Sequence, residues 1–307
     1  MVVRLDTGEQ VHYLDWRAAQ APPADSAAAE RPPVLLVHGL LQTAWSWAPV
    51  ARRLAARLPT LALDLRGHGL SDSPRAGYEL ESLAFDALTV VSAQGWGSDA
   101  GGAPVIVAGH GLGAMVGAAM ADLRPGSIAG LAMLEAGWEA MADATGMDAA
   151  QYQRTIGDPP EVLASMAAYL ADRRDFDPAT WDADQQRAAR AAVDEKHAGH
   201  VAPVVRAHAL RGAVEAMWSF DPQLVAALDV PLLIAVGESG AADDESVRDR
   251  RLALDELLQL RRLEGRPPAE VLRLAGAGHN LMRYRPDELA AALLDFATSA
   301  RTPDAPR

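Results

Sequence analysis

The chain has 307 residues, half of them hydrophobic, and a formal net charge of −13. That length predicts one large α/β domain with a sizeable core, and the acidic balance argues against a nucleic-acid partner. The absence of cysteine excludes disulfides, thiolate metal sites and thiol catalysis; with no signal-like opening and no long apolar run, no membrane span is expected and a cytoplasmic location is.

Residues 2–6 and 10–16 read as two short strands around a turn at Thr7-Gly8, and 18–33 as an Ala- and Pro-rich surface loop. Strands and helices then alternate. Val34–Val37 is a buried-strand run, followed by a helix near 46–57, a strand at Thr60–Asp64 and a helix over 79–93. Val105–Ala108 is a strand leading into a helix at 112–123, and Ile128–Leu134 is the next strand. Residues 138–226 break the rhythm, with helical periodicity at 160–172, 182–196 and 202–218 and no clear strands. The alternation resumes with a strand at Pro231–Val236, a helix at 245–263, a strand at Glu270–Leu274 and a helix at 286–298. Such alternation implies a mostly parallel sheet covered on both faces.

The most informative feature is an absent side chain. Residues 104–113 read P-V-I-V-A-G-H-G-L-G, the strand–turn–helix context of the nucleophile elbow G-x-S-x-G, but the elbow position is Gly111. Glycine cannot attack a substrate or be acylated. Three further segments stand at strand ends: His38-Gly39-Leu40-Leu41, Asp64-Leu65-Arg66-Gly67-His68-Gly69-Leu70-Ser71 and Gly276-Ala277-Gly278-His279. Together, over residues 34–298, the four resemble the α/β-hydrolase fold family. The resemblance implies an eight-stranded, mostly parallel sheet with flanking helices. It also implies a core domain of residues 1–137 and 227–307, with an α-helical cap, residues 138–226, inserted after the sixth strand.

The resemblance further implies an oxyanion hole built from the backbone N–H groups of Leu40 and Leu112, a device that does not need serine. It makes His279 the catalytic base, a residue type suited to proton transfer near neutral pH. The base needs an acid to orient it. The commonest family position, after the seventh strand, is occupied by Gly240 in Gly237-Glu238-Ser239-Gly240. Glu135 instead closes the apolar strand Leu131–Leu134, where a carboxylate requires a partner. Glu135 is therefore preferred, with Glu238 as the alternative and Asp243 or Asp244 behind it.

Asp64–Ser71 reads as structural, with His68 as a turn residue. His38, Gly39, Trp45, His110, Trp138 and Trp218 are candidates for the substrate pocket, the aromatics because they suit a flat or apolar ligand. Ser46, near the oxyanion turn, is a candidate stand-in for the missing hydroxyl. His197, His200 and His208 lack the companions of a metal site, no nucleotide fingerprint is present, and neither metal nor cofactor is expected.

An enzyme is expected, acting on a small organic substrate. A His279–acid dyad with an oxyanion hole but no nucleophile is suited to non-covalent proton transfer: elimination, cyclisation, cofactor-free oxygenation, or hydrolysis by an activated water. Two alternatives stay open. One is a serine ester or thioester hydrolase in which glycine stands at 111; the other is a non-catalytic small-molecule binding protein. Substrate identity and oligomeric state are not legible.

Overall fold

The computed structural model describes residues 1–17, 31–158, 160–196, 199–239 and 245–300. Eight strands form one sheet: β1 (Val2–Arg4), β2 (Gln10–Asp15), β3 (Val34–Val37), β4 (Thr60–Leu63), β5 (Val105–His110), β6 (Ile128–Leu134), then β9 (Leu232–Glu238) and β10 (Ala269–Ala275). Their order is β1-β2-β4-β3-β5-β6-β9-β10. β1 pairs antiparallel with β2 and β2 with β4; every other pairing is parallel, as the expected mostly parallel sheet requires.

Helices cover both faces because the central strands are mainly apolar and buried at nearly every position. Val34, Leu36, Ile106, Ala108, Ala132 and Leu134 face α1 (Ala48–Ala55) and α12 (Pro286–Ser299). The alternate residues, among them Leu35, Val37, Val107, Leu131 and Met133, face α2 (Leu80–Ala93), α3 (Leu112–Leu123) and α10 (Glu245–Leu263). This period-2 division into two buried faces is why these runs read as continuous apolar stretches. Parallel register puts all the carboxyl ends of β3, β5, β6, β9 and β10 at one edge, where such sheets bind ligands.

Between β6 and β9 lie α4 (Met141–Thr145), α5 (Ala149–Thr155), α6 (Met166–Phe176), α7 (Ala183–Ala191), α8 (Ala207–Trp218) and α9 (Gln223–Ala227). The expectation of helices without strands is corrected here. The helix anticipated over 182–196 stops at Ala191, and Val193–Glu195 (β7) pairs antiparallel with Val201–Pro203 (β8). Val193 and Val201 bury against Tyr169, so β-branched residues in a two-residue period override the helical pattern that precedes them. Asp182 caps α7 by accepting the N–H groups of Asp184 and Gln185. A short α11 (Leu281–Tyr284) precedes α12.

One buried cation fastens this region to the sheet. Arg261 of α10 donates through Nη1 to the carbonyls of Val225 (2.7 Å) and Leu228 (2.9 Å). Its Nη2 donates to the carbonyls of Val230 (2.9 Å) and Pro267 (3.0 Å). Burial pushes its pKa down from the usual arginine value, and carbonyl oxygens rather than a carboxylate accept its protons.

Candidate active site

Gly111 sits between the end of β5 and the first residue of α3, with φ 53° and ψ −118°. A left-handed φ of this kind is a strained elbow for any residue with a Cβ. The next turn is drawn tight: a Cβ on Gly113 would lie 2.3 Å from the Val37 carbonyl oxygen, so only glycine lets α3 start against β3. At Gly111 the opposite holds. A Cβ there would meet only the Cα of Gly39, at 3.7 Å, an ordinary contact. The elbow thus keeps both its torsions and the room for a side chain.

The Gly39 contact brings the turn after β3 alongside the elbow. Among the described residues, neither the Leu40 nor the Leu112 N–H has a hydrogen-bond acceptor. Leu112 opens α3, where the first N–H groups of a helix have no partner within it. Leu40, Gly111 and Leu112 line one cavity, and the first and last carry these unpaired N–H groups.

The residues beneath the turn fix it in place. Asp64 accepts the Ala44 N–H (2.7 Å), the Leu70 N–H (3.0 Å) and the Nδ1–H of His12 (2.8 Å). Burial opposes the Asp64 charge, but His12, His38 and the two N–H groups outweigh it and keep its pKa below the ordinary value. His38 is fully buried. Its Nδ1–H donates to the Gly39 carbonyl (2.8 Å) and its Nε2 accepts the Leu65 N–H (3.0 Å). His68 similarly donates to the Arg66 carbonyl and accepts the Leu41 N–H, and burial drives its pKa down to about 3. The structural reading of Asp64 and His68 agrees with these bonds. His38 does not reach a pocket, because both ring nitrogens are used within the turn.

Glu135 follows β6 with φ 62°; it and Leu41 are the two non-glycine residues at positive φ among those described. Strained backbone of this kind persists where surrounding contacts hold it. Its Oε2 lies 3.5 Å from Nδ1 of His279 and 3.0 Å from Nη1 of Arg250, and its Oε1 accepts the Gly237 N–H. Burial would raise the Glu135 carboxyl, yet His279, Arg250 and the Gly237 N–H hold it below its ordinary value. With Nδ1 on the carboxylate, His279 has Nε2 left for a proton. Its backbone carbonyl accepts Nε2–H of His110 (2.9 Å), which ties the base turn to the elbow strand, and the two rings lie 4.6 Å apart. Burial keeps His110 uncharged, well below its ordinary pKa.

Glu238, the alternative acid, pairs instead with Arg251 (3.4 Å) and Arg273 (3.6 Å). Gly240, Asp243, Asp244 and His197 lie outside the described residues. Gly39, Leu40, His110, Gly111, Leu112, Glu135, Trp138 and His279 all line one cavity of about 1650 Å³. Trp45 does not: it packs edge-on against Trp16 and under Arg187 of α7. Nor does Trp218, whose indole N–H donates to the Met147 carbonyl (3.1 Å) and whose ring leans on Tyr152. Ser46 belongs to the short helical turn Ala44–Trp47 and is also absent from the lining. Sequence reasoning missed Arg250, Glu139 and Gln42. Gln42 accepts the Gly39 N–H and donates to Asn280, linking the turn after β3 to the residue after His279. None carries a local motif; each reaches the site through tertiary packing. Among the described residues no group of three or more His, Asp or Glu side chains is placed to hold a metal, and no helix is long and apolar enough to cross a membrane.

A model of the "Alpha/beta hydrolase family" matches residues 34–292, which span every element described above from β3 into α12. The chain belongs to the α/β-hydrolase family. A relative from Mesorhizobium japonicum, 2-(acetamidomethylene)succinate hydrolase, is 26% identical over 266 residues, covering 86% of this chain and 87% of its own. The crystal structure of E-2-(acetamidomethylene)succinate hydrolase superposes with a TM-score of 0.74 at 22% identity, over 97% of this α/β hydrolase and 99% of that chain. The enol-lactonase from Burkholderia xenovorans LB400 gives a TM-score of 0.67 at 20% identity, over 97% and 100% of the two chains. These structures share the fold. The hydrolase relatives support an enzyme.

Proposed function

We propose that this chain is a hydrolase of small activated acyl compounds, esters or amides, in which a water above Gly111 replaces the nucleophilic side chain. The observation that carries this reading is the open space at Gly111, beside the free Leu40 and Leu112 N–H groups and in one cavity with the His279–Glu135 pair. His279 Nε2 takes a proton from the water as its oxygen bonds to the acyl carbon. The carbonyl π-electrons move to oxygen, and the developing charge meets the two N–H donors. Collapse of the tetrahedral intermediate breaks the bond to the amine or alcohol, and His279 returns the proton to that leaving group. Glu135 holds the imidazole by Nδ1 and stabilises its charged form.

Hydrolysis is favoured over elimination, cyclisation or oxygenation because the relatives are hydrolases, and 2-(acetamidomethylene)succinate offers an amide to cleave. In this reading residues 138–226 act as a cap over the carboxyl ends of the strands. Trp138 and the methionines of the cavity supply an apolar wall.

The test is pre-steady-state hydrolysis of p-nitrophenyl butyrate with intact-protein mass spectrometry. The unaltered chain should release nitrophenol without a burst and gain no acyl mass, whereas Gly111→Ser should show both a burst and an adduct. An acyl adduct on the unaltered chain would overturn the water mechanism. A Gly111→Ser variant that folds but gains no adduct would overturn the oxyanion and base assignments.

A further inference from the structure

The charges in the cavity are unevenly disposed. Among the described lining residues Arg250 is the one guanidinium, and no lysine joins it. Two carboxylates already neutralise it: Nη1 donates to Glu135 Oε2 at 3.0 Å, and Nε lies 3.1 Å from Glu139 Oε1 in ion-pair range without a hydrogen bond. Its remaining face lies over the Trp138 ring, 4.7 Å from the centroid. Glu139 is largely buried. Asp143, Asp249 and Glu256 add exposed carboxylates at the rim. The rest of the inner wall includes the buried apolar side chains of Met115, Trp138, Met217 and Leu257.

A carboxylate entering this cavity would face like charges at the rim and find the guanidinium's charge already balanced by Glu135 and Glu139. Desolvating an anion without a free partner is costly, and a cleft lined by one sign of charge lowers the local concentration of ligands of that sign. Neutral acyl chains meet no such penalty and can lie on the apolar wall. Resting on the hydrolytic reading of this site, we infer that the cavity selects acyl substrates without a carboxylate, and that the Glu135–Arg250–Glu139 cluster is what turns anionic ones away. The substrate class therefore differs from that of the succinate hydrolase relative, whose substrate bears two carboxylates. Arg250 acts here as a positioning residue for Glu135 and is withheld from substrate.

Two matched pairs test this on the unaltered protein. p-Nitrophenyl butyrate and mono-p-nitrophenyl succinate differ only in a terminal methyl against a carboxylate, as do butyramide and succinamate. The kcat/KM for the butyrate ester should exceed that for the succinate ester at least tenfold, and calorimetry should show tighter binding of butyramide than of succinamate. In Glu139→Gln, which removes one of the two carboxylates that neutralise Arg250, the ester ratio should narrow at least threefold. Equal or better use of the succinate ester, tighter binding of succinamate, or an unchanged ratio in Glu139→Gln overturns the inference. If neither ester is cleaved, the hydrolytic reading fails by itself, and the amide pair still decides the charge selection.

Discussion

Among the described residues two histidine–carboxylate pairs of the same chemical kind are built in opposite ways. His12 and Asp64 lie 2.8 Å apart with side chains only 12% and 3% exposed. The Asp64 carboxylate is saturated by two further N–H donors. His279 and Glu135 lie 3.5 Å apart, and the imidazole is 61% exposed on the cavity while its carboxylate is 4% exposed. The first pair is buried away from the cavity and holds the turn that carries Leu40. The second keeps one imidazole nitrogen available. Residue types alone do not distinguish the two pairs; the exposure of the imidazole on the cavity does.

The comparison is sharpened most by His279→Ala. Hydrolysis of p-nitrophenyl butyrate should fall about 10²- to 10⁴-fold, the usual worth of a general base, with little change in the urea midpoint. Retained activity would break the assignment and favour a binding protein. Asp64→Ala should do the reverse in kind: a loss of about 3 kcal/mol or more in urea unfolding, because His12 and two N–H groups are left unpaired in a buried site. A variant as stable as the parent would show that the buried pair is not the brace described.

Acid titration gives a smaller effect. His68, His38 and His110 are held uncharged by burial, so their folded pKa values lie below the ordinary 6.5. The unfolded chain then binds protons first as pH falls. Stability should drop below about pH 6.5 and, for His68, keep dropping to about 3. His68 alone contributes about 2 kcal/mol of loss by pH 5. Glu135 and Asp64 act in the same direction at lower pH, since their depressed values stabilise the fold above the ordinary carboxylate range and that contribution vanishes as pH falls through the folded values. Urea midpoints at pH 7, 6 and 5 check the sign; a flat profile contradicts it.

Much of this was legible in the sequence because the relevant signals are local. Val34–Val37, Leu112–Leu123 and Ile128–Leu134 match the observed elements at both ends, since each is bounded by a turn or by the elbow itself. Glu135 was readable as a carboxylate ending an apolar strand. Arg250 was not, because its partner lies 115 residues away and one arginine among several on α10 has no distinguishing neighbour. The hairpin β7–β8 was hidden for a related reason: it buries few residues and rests on Tyr169, a contact the local pattern does not encode. Trp45 and Trp218 were misplaced as pocket residues because an indole fits core packing as readily as a ligand wall.

Arg250 and Arg261 both belong to α10, eleven residues apart. At 3.6 residues per turn that separation is three turns, so the two side chains project within about 20° of each other and roughly 16 Å apart along the axis. The helix is thus a bar clamped at one end by four carbonyls and bearing at the other the guanidinium that pairs with Glu135. A tilt of about 5° about the clamp would carry Arg250 through roughly 1.4 Å, and displacements of that order are enough to cost an active site about a hundredfold in rate. The placement of Glu135 against His279 therefore depends on Arg261, a residue that touches neither.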